Sequence, residues 1–339
     1  MIPFYAYDVC FPRGTFEREM RNRGLKLVRF RSLIRYNHQG VRLSKDLVGE
    51  KYVELCQTPL GTIRRCFQKN PGRIMDPDAD IQCEWWVKKL EDFAPLIYYL
   101  QDGIHCPQTS LAREFLEVEA DLGEDGQVNT GVEFSPDVTA IHMLGLEGWV
   151  RARHEWPHRY QELVAVLADY NALQYHAAME LQPSHLIMAS EVTDNISPAL
   201  YETEVLPWFE RYAPGLRAAG HTIGVHAHAL RLSHYRDVVH KMDADWIESF
   251  TPPPGGNLSL KDARKAWGDK VFIWVNVPEG IFYEGAGAVT RWTKELLAED
   301  PGSNMAVGFS EMGMMGVTSE IREIFQDGVR AIAEVLHAV

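Results

Sequence analysis

The sequence predicts one domain over residues 1–339, a closed (β/α)8 TIM barrel with an elaborated N-terminal portion covering about residues 1–130. Three observations lead there. Five short apolar runs in the second half each deliver a polar or metal-competent side chain at the carboxyl end. Residues 185–190 run into Glu191, 222–225 into His226 and His228, and 244–247 into Glu248. Residues 271–275 run into Asn276, and 304–308 reach Glu311 shortly after. Helical patterns alternate with these runs about 25–35 residues apart, as repeated right-handed βαβ units require. No linker rich in Gly, Ser or Pro divides the chain. An open doubly wound sheet is the alternative architecture.

In chain order, residues 16–23 read as a short helix stopped by Gly24, and residues 25–30 as a strand. Residues 51–56 and 62–67 alternate around Thr58-Pro-Leu-Gly61, a hairpin signal, and residues 81–84 continue the strand character. Residues 86–101 have helical spacing, with Val87, Leu90, Phe93, Ile97 and Leu100 on one side and Gly103 beyond the end. Pro95 inside that pattern predicts a kink or a division. Residues 110–122 form a further helix before a turn at Gly123-Glu-Asp-Gly126. From Pro157 the alternation is regular. A helix over 158–180 follows the proline, and Ser197-Pro198 opens another that reaches Ala219 before Gly220. Helices over 230–242, from Ser259 (with Asp262 as a capping box) to Trp267, over 288–299 and over 319–338 complete the pattern.

Composition narrows the function classes. Apolar residues make up 46%, enough for a large core, and no run approaches the length of a membrane span. A net charge of −13 argues against a nucleic-acid surface and against docking on anionic membranes. The first eight residues lack the basic start and apolar core of a secretory signal, so a cytoplasmic location is expected. Cys10, Cys56, Cys66, Cys83 and Cys106 show no C-x-x-C spacing and are read as buried free thiols.

The two histidines of Gly224-Val-His226-Ala-His228 are spaced i, i+2, which turns both imidazoles to one side of a strand. In a barrel, Glu191, His226, His228, Glu248, Asn276 and Glu311 would all reach the catalytic face. Two imidazoles with one or two carboxylates suit a divalent ion such as zinc, one per chain. The metal ligands are taken as His226, His228, Glu248 and Glu311, and the catalytic groups as Glu191 and Asn276. A metal-free polar active site and purely structural roles are the competing readings. Glu191 and Glu311 also stand where a carboxylate would favour the start of a following helix. His221, His234 and His240 are read as surface residues, and Met312, Met314 and Met315 as core packing.

The span from Glu191 to the C-terminus resembles the uroporphyrinogen decarboxylase superfamily, which includes the zinc-dependent corrinoid methyltransferases. The matching pieces are Ser197-Pro198-Ala-Leu-Tyr201 leading to Pro207, Gly224-Val-His226-Ala-His228, Gly268-Asp269-Lys-Val-Phe-Ile-Trp-Val-Asn276 and Gly308-Phe-Ser-Glu311-Met-Gly313. Thr58-Pro-Leu-Gly61 and Glu91-Asp92-Phe93 are weaker matches. The family's methyltransferase branch holds zinc by a His-x-Cys on one strand and a Cys near the last. Those positions match His226, His228 and the Ser310-Glu311 step, so both cysteines are absent here. A nitrogen- and oxygen-rich site is harder than a thiolate site and suits polarising an oxygen better than activating a thiol. The resemblance thus implies an O-demethylase-type methyltransferase. It would move a methyl group from an O-methyl, methoxylated (possibly aromatic) small molecule to the cobalt of a corrinoid. The cobalamin would belong to a separate corrinoid protein, since no corrinoid-binding Asp-x-His-x-x-Gly occurs in the chain. The alternative is a decarboxylase of a carboxylated small molecule. Arg29-Phe-Arg31-Ser-Leu-Ile-Arg35 does not reproduce that branch's Arg-rich signature. A non-catalytic member that only binds a ligand is the third reading.

Overall fold

The structure, a computed structural model, describes residues 2–69, 80–132, 134–181, 186–300, 304–309 and 318–338. Its frame is a ring of parallel strands: β1 (Phe4–Tyr7), β2 (Leu25–Phe30), β3 (Gly126–Gly131), β4 (Leu186–Val192), β5 (Thr222–Ala227), β6 (Trp246–Phe250), β7 (Phe272–Asn276) and β8 (Met305–Phe309). They follow one another around the ring in chain order, and Phe4 pairs with both Leu25 of β2 and Val307 of β8. That last pairing closes the sheet, so the chain is a (β/α)8 barrel and the open doubly wound alternative falls.

Physical cause is plainest in β5 to β8. Each is short and apolar because one side packs on surrounding helices while the other fills the barrel. Outside the ring, Phe309 of β8, Phe282 and Phe325 form a ring cluster with centroids 5.6–5.9 Å apart. It ties the helix Ser319–His337 to the barrel wall. Arg330 on that helix clamps Glu19 through two bonds of 2.9 and 3.0 Å, joining the two ends of the chain. Below β7 and β8, the buried Arg264 donates to Asp300 at 2.6 Å and to the backbone carbonyls of Val271 and Asn304.

The elaboration follows β2 and precedes β3. It contains an antiparallel sheet of Arg42–Val48, Lys51–Thr58, Gly61–Gln68 and Ile81–Glu84, then the helices Phe93–His105 and Ala112–Leu122. The hairpin around Thr58 and Gly61 forms as expected, with Thr58 Oγ1 accepting from the Leu60 N–H. Because the insertion leaves the barrel from the carboxyl end of β2, it stands on the face where barrel enzymes carry their chemistry.

Several local expectations change. The helix expected from residue 86 begins at Phe93, after a single 3-10 turn at Leu90–Asp92. Pro95 therefore lies in the first turn, where a missing N–H costs nothing, and the helix runs to His105 unbroken. The segment over 230–242 is a 3-10 turn at Leu232–His234 followed by a helix at Arg236–Met242. His221 is buried rather than at the surface, with Nε2 bonded to the Ala178 carbonyl at 2.7 Å, whereas His234 and His240 are exposed. Of the five free thiols Cys83 is exposed and the other four are buried. Among the described residues no helix is long and apolar enough to cross a membrane.

Candidate active site at the carboxyl end of the barrel

Strand register places three of the expected side chains side by side. Glu191 of β4 is level with His226 of β5, and His226 is level with Glu248 of β6. Both carboxylate-bearing strands are irregular at this point, with register shifts between Met188 and Ser190 and between Ile247 and Phe250. Such bulges re-aim side chains and are common beside active sites. In β6 the irregularity includes Ser249, fully buried and held at a φ of 60°.

Two imidazole–carboxylate pairs result. His226 Nδ1 bonds directly to Glu248 Oε1. Glu248 is completely buried, and its Oε2 has no hydrogen-bond partner among the described residues. His228 Nε2 lies 2.8 Å from Glu191 Oε1, and the rings of His226 and His228 are 4.6 Å apart between centroids. A third imidazole approaches from outside the barrel: His142 Nε2 is 3.3 Å from Glu191 Oε2. Burial alone would raise the pKa of Glu191, but contacts with His142 and His228 outweigh it and hold the carboxyl well below the usual carboxylate range. Glu191 is thus an anion at neutral pH. Its strand is held from below by Tyr201, whose hydroxyl donates to the Glu191 carbonyl and whose own acidity burial suppresses.

Asn276 ends β7, is buried, and donates through Nδ2 to Thr251 Oγ1 at 3.2 Å. It braces the loop leaving β6. Glu311, with Met312, Met314 and Met315, lies outside the described residues.

Sequence reasoning missed His142. It sits on the helix Pro136–Glu155, and Ser135 caps that helix by accepting from the Val138 N–H. The same Ser-Pro start marks the helix at Ser197-Pro198, so the sequence carries a signal for both. What hid the helix was Gly145, whose φ of 71° interrupts the helical period midway.

Over His142 opens a cavity of about 650 Å³, walled on one side by the inserted sheet (Leu55, Arg65) and on the other by His142 and Met143. Trp86 and Tyr99 supply aromatic surface to it. Lys45 and Arg65 bring positive charge, but both are paired with Glu54, at 3.5 and 2.6 Å.

The chemistry available is that of carboxylate-oriented imidazoles: proton transfer, and nitrogen and oxygen donors for a cation. The donor types suit zinc, and the buried, unpartnered Glu248 Oε2 is an atom such an ion would satisfy. As placed, the groups stand as two pairs, and among the described residues no three His, Cys, Asp or Glu side chains are disposed to hold a metal. A complete ligand set would draw His226, His228 and Glu248 to one point with Glu311.

No protein-family model and no curated protein matches the sequence. Among solved structures, a methyltransferase from Methanosarcina mazei is similar at 11% identity and a TM-score of 0.50, over 76% of this chain and 72% of that one. A B12-independent methionine synthase from Shewanella sp. is similar at 12% identity and a TM-score of 0.42, over 81% and 74%. An endo-1,4-β-D-mannanase from Thermotoga petrophila is similar at 10% identity and a TM-score of 0.43, over 100% and 99%. At such identities a likeness speaks to fold alone, and the first of these agrees with the barrel derived above.

Proposed function

We propose that the protein is a methyltransferase that takes the methyl group of an O-methyl, methoxylated substrate and passes it to the cobalt of a corrinoid carried by a separate protein. The observation that carries this reading is the level row Glu191, His226 and Glu248, joined by His228 and by His142, which also lines a partly aromatic cavity. The barrel shared with the Methanosarcina mazei methyltransferase is compatible with it.

In this reading zinc would be held by His226, His228, Glu248 and Glu311, and when bound it supplies Lewis-acid polarisation of the leaving oxygen. The chain's own groups do the rest. Trp86 and Tyr99 pack the substrate's apolar body, and Met143 narrows the space beside His142. Glu191 stays ionised and fixes the orientation of His142 and His228. His142, half exposed at the cavity edge, is positioned to give its proton to the alkoxide or phenolate oxygen that remains when the methyl group leaves. Asn276 holds the β6 loop in place.

The decarboxylase alternative asks for cations free to receive substrate carboxylates. Lys45 and Arg65 are already paired with Glu54, and Lys45 with Asp80 as well, which disfavours it.

The test combines elemental analysis with transfer of methyl from a methoxyarene to cob(I)alamin, followed by the loss of cob(I)alamin absorbance. One zinc per chain and turnover are expected, with His226→Ala losing both together. Full activity in metal-stripped protein would defeat the zinc assignment. Carbon dioxide release from a carboxylated substrate without any corrinoid would move the protein to the decarboxylase class.

A further inference from the structure

The inserted sheet ends on two unlike edges. At one, Ile81–Glu84 is four residues long, and its pairing with Gly61–Gln68 is broken by a shift between Cys66 and Phe67. Short length and a bulge are usual ways of blunting a sheet edge. At the other, Arg42–Val48 is seven residues long and pairs without a break, from Arg42 opposite Gln57 to Val48 opposite Lys51. Among the described residues no strand lies on its other side, which leaves a row of backbone N–H and C=O groups facing outward. Every residue of it is exposed, and Leu43, Leu47 and Val48 keep 53%, 56% and 62% of their surface.

Lysine is the usual guard on such an edge, but Lys45 does not act as one. Its Nζ turns back over the sheet, 4.9 Å from the centre of the Tyr52 ring and 3.5 Å from both Glu54 and Asp80. Two charges remain on the opposite face. Arg42 and Asp46 point to the same side of the strand, and neither makes an ion pair among the described residues. When this strand meets the same strand of a second chain antiparallel, a two-fold axis relates them and one residue faces its own copy. With Ser44 on the axis, Arg42 stands opposite Asp46 twice and Val41 opposite Leu47 twice. With Lys45 or Asp46 on the axis, two like charges meet directly, which is destabilising. Of these three central registers, only the first joins opposite charges without opposing like ones.

We propose that Arg42–Val48 is a homodimer interface, on which a second copy of the chain adds its own strand antiparallel about Ser44. The two four-stranded sheets then join as one of eight. Backbone hydrogen bonds supply the attraction, and the two Arg42–Asp46 pairs fix the register. Leu43, Ser44 and Lys45 also border the cavity that reaches His142, so the added strand runs along its rim. A single strand pair is small beside a permanent interface, so the dimer is reversible and concentration-dependent. The interface rests on the sheet edge alone and does not depend on the methyltransferase reading.

Sedimentation equilibrium of the full chain should show monomer and dimer in exchange, shifting toward monomer on dilution and in high salt. Arg42→Asp and Asp46→Arg each bring like charges together twice and should raise the dissociation constant about tenfold or more. The double variant Arg42→Asp/Asp46→Arg should restore dimerisation. Both positions are exposed, so circular dichroism should not change. Register is read by crosslinking in a Cys83→Ser background, which removes the exposed native thiol. Directly opposed residues of adjacent strands have Cα atoms about 4.5–5.5 Å apart, within disulfide reach. On oxidation with diamide, Ser44→Cys should therefore give a covalent dimer, whereas Lys45→Cys, which reports the neighbouring register, should not. A monomer at every concentration would overturn the proposal and leave the edge to a strand of a different protein. A dimer indifferent to both charge reversals, or one crosslinked through Lys45→Cys and not Ser44→Cys, would overturn it as well.

Discussion

Ser249 shows how much local strain the candidate site carries. It is fully buried, its φ of 60° lies where side chains are disfavoured, and its Oγ has no hydrogen-bond partner among the described residues. Each feature costs stability, and both fall on the residue after Glu248. Replacing it by glycine removes both penalties, so Ser249→Gly should raise stability by about 1 kcal/mol, read from the urea midpoint at constant slope. A loss of stability would mean that the hydroxyl contributes more than the strain removes. Glu191 is the opposite case, since it is over-supplied with partners. Glu191→Gln keeps the shape and removes the charge, so His142 and His228 lose the anion that orients them. A fall in turnover of about 10²–10⁴, the usual worth of positioned acid–base groups, is expected in the methyl-transfer assay, with little change in fold by circular dichroism. Unchanged turnover would reduce Glu191 to a structural role.

At the scale of elements, what could be read from the sequence tracks how a strand is used. The runs leading to β4 through β8 were visible because their residues are apolar on both sides and a polar residue marks the mouth. Gly126–Gly131 gives no such signal: Gln127 and Asn129 are polar where the other strands are apolar, and it begins and ends in glycine. The convergence of Glu191, His226 and Glu248 follows from register between strands, which no single run encodes. The helix Pro136–Glu155 carries, besides His142, a cluster with a measurable consequence. Asp137 accepts from Tyr160 at 2.5 Å, and Arg153 joins it while gripping Glu204 with two bonds of 2.6 Å. Burial, opposed by Tyr160 and Arg153 and assisted by Glu204, pushes the Asp137 carboxyl up to about 6. Its folded value therefore exceeds the unfolded one near 4, and the native state binds more protons between them. Stability from this group is present below pH 4 and falls as pH rises toward 6. Asp137→Asn should flatten the dependence in that window, seen as a smaller difference between urea midpoints at pH 4.5 and pH 6.5.

For the whole molecule, the division of labour lies between a closed ring and the insertion raised on its carboxyl end. The ring needs nothing from the inserted sheet to close, since β2 pairs directly with β3 and with β1. What the sheet supplies is one wall of the 650 Å³ cavity above His142. The imidazoles and carboxylates come from the barrel and the helix behind β3, whereas Leu55, Arg65 and their neighbours in the insertion line the cavity and, in the proposed function, would meet the substrate's body. Chemistry and selectivity should therefore separate by mutation. Leu55 is partly exposed to the cavity, so Leu55→Trp fills space from the insertion side without touching Glu191, His226 or Glu248. In the methyl-transfer assay this variant should raise KM about tenfold or more for a bulky methoxyarene and less for a small one, with metal content unchanged. A fall in kcat at constant KM would instead mean that the insertion shapes the reacting groups themselves, and that ring and insertion act as one catalytic body.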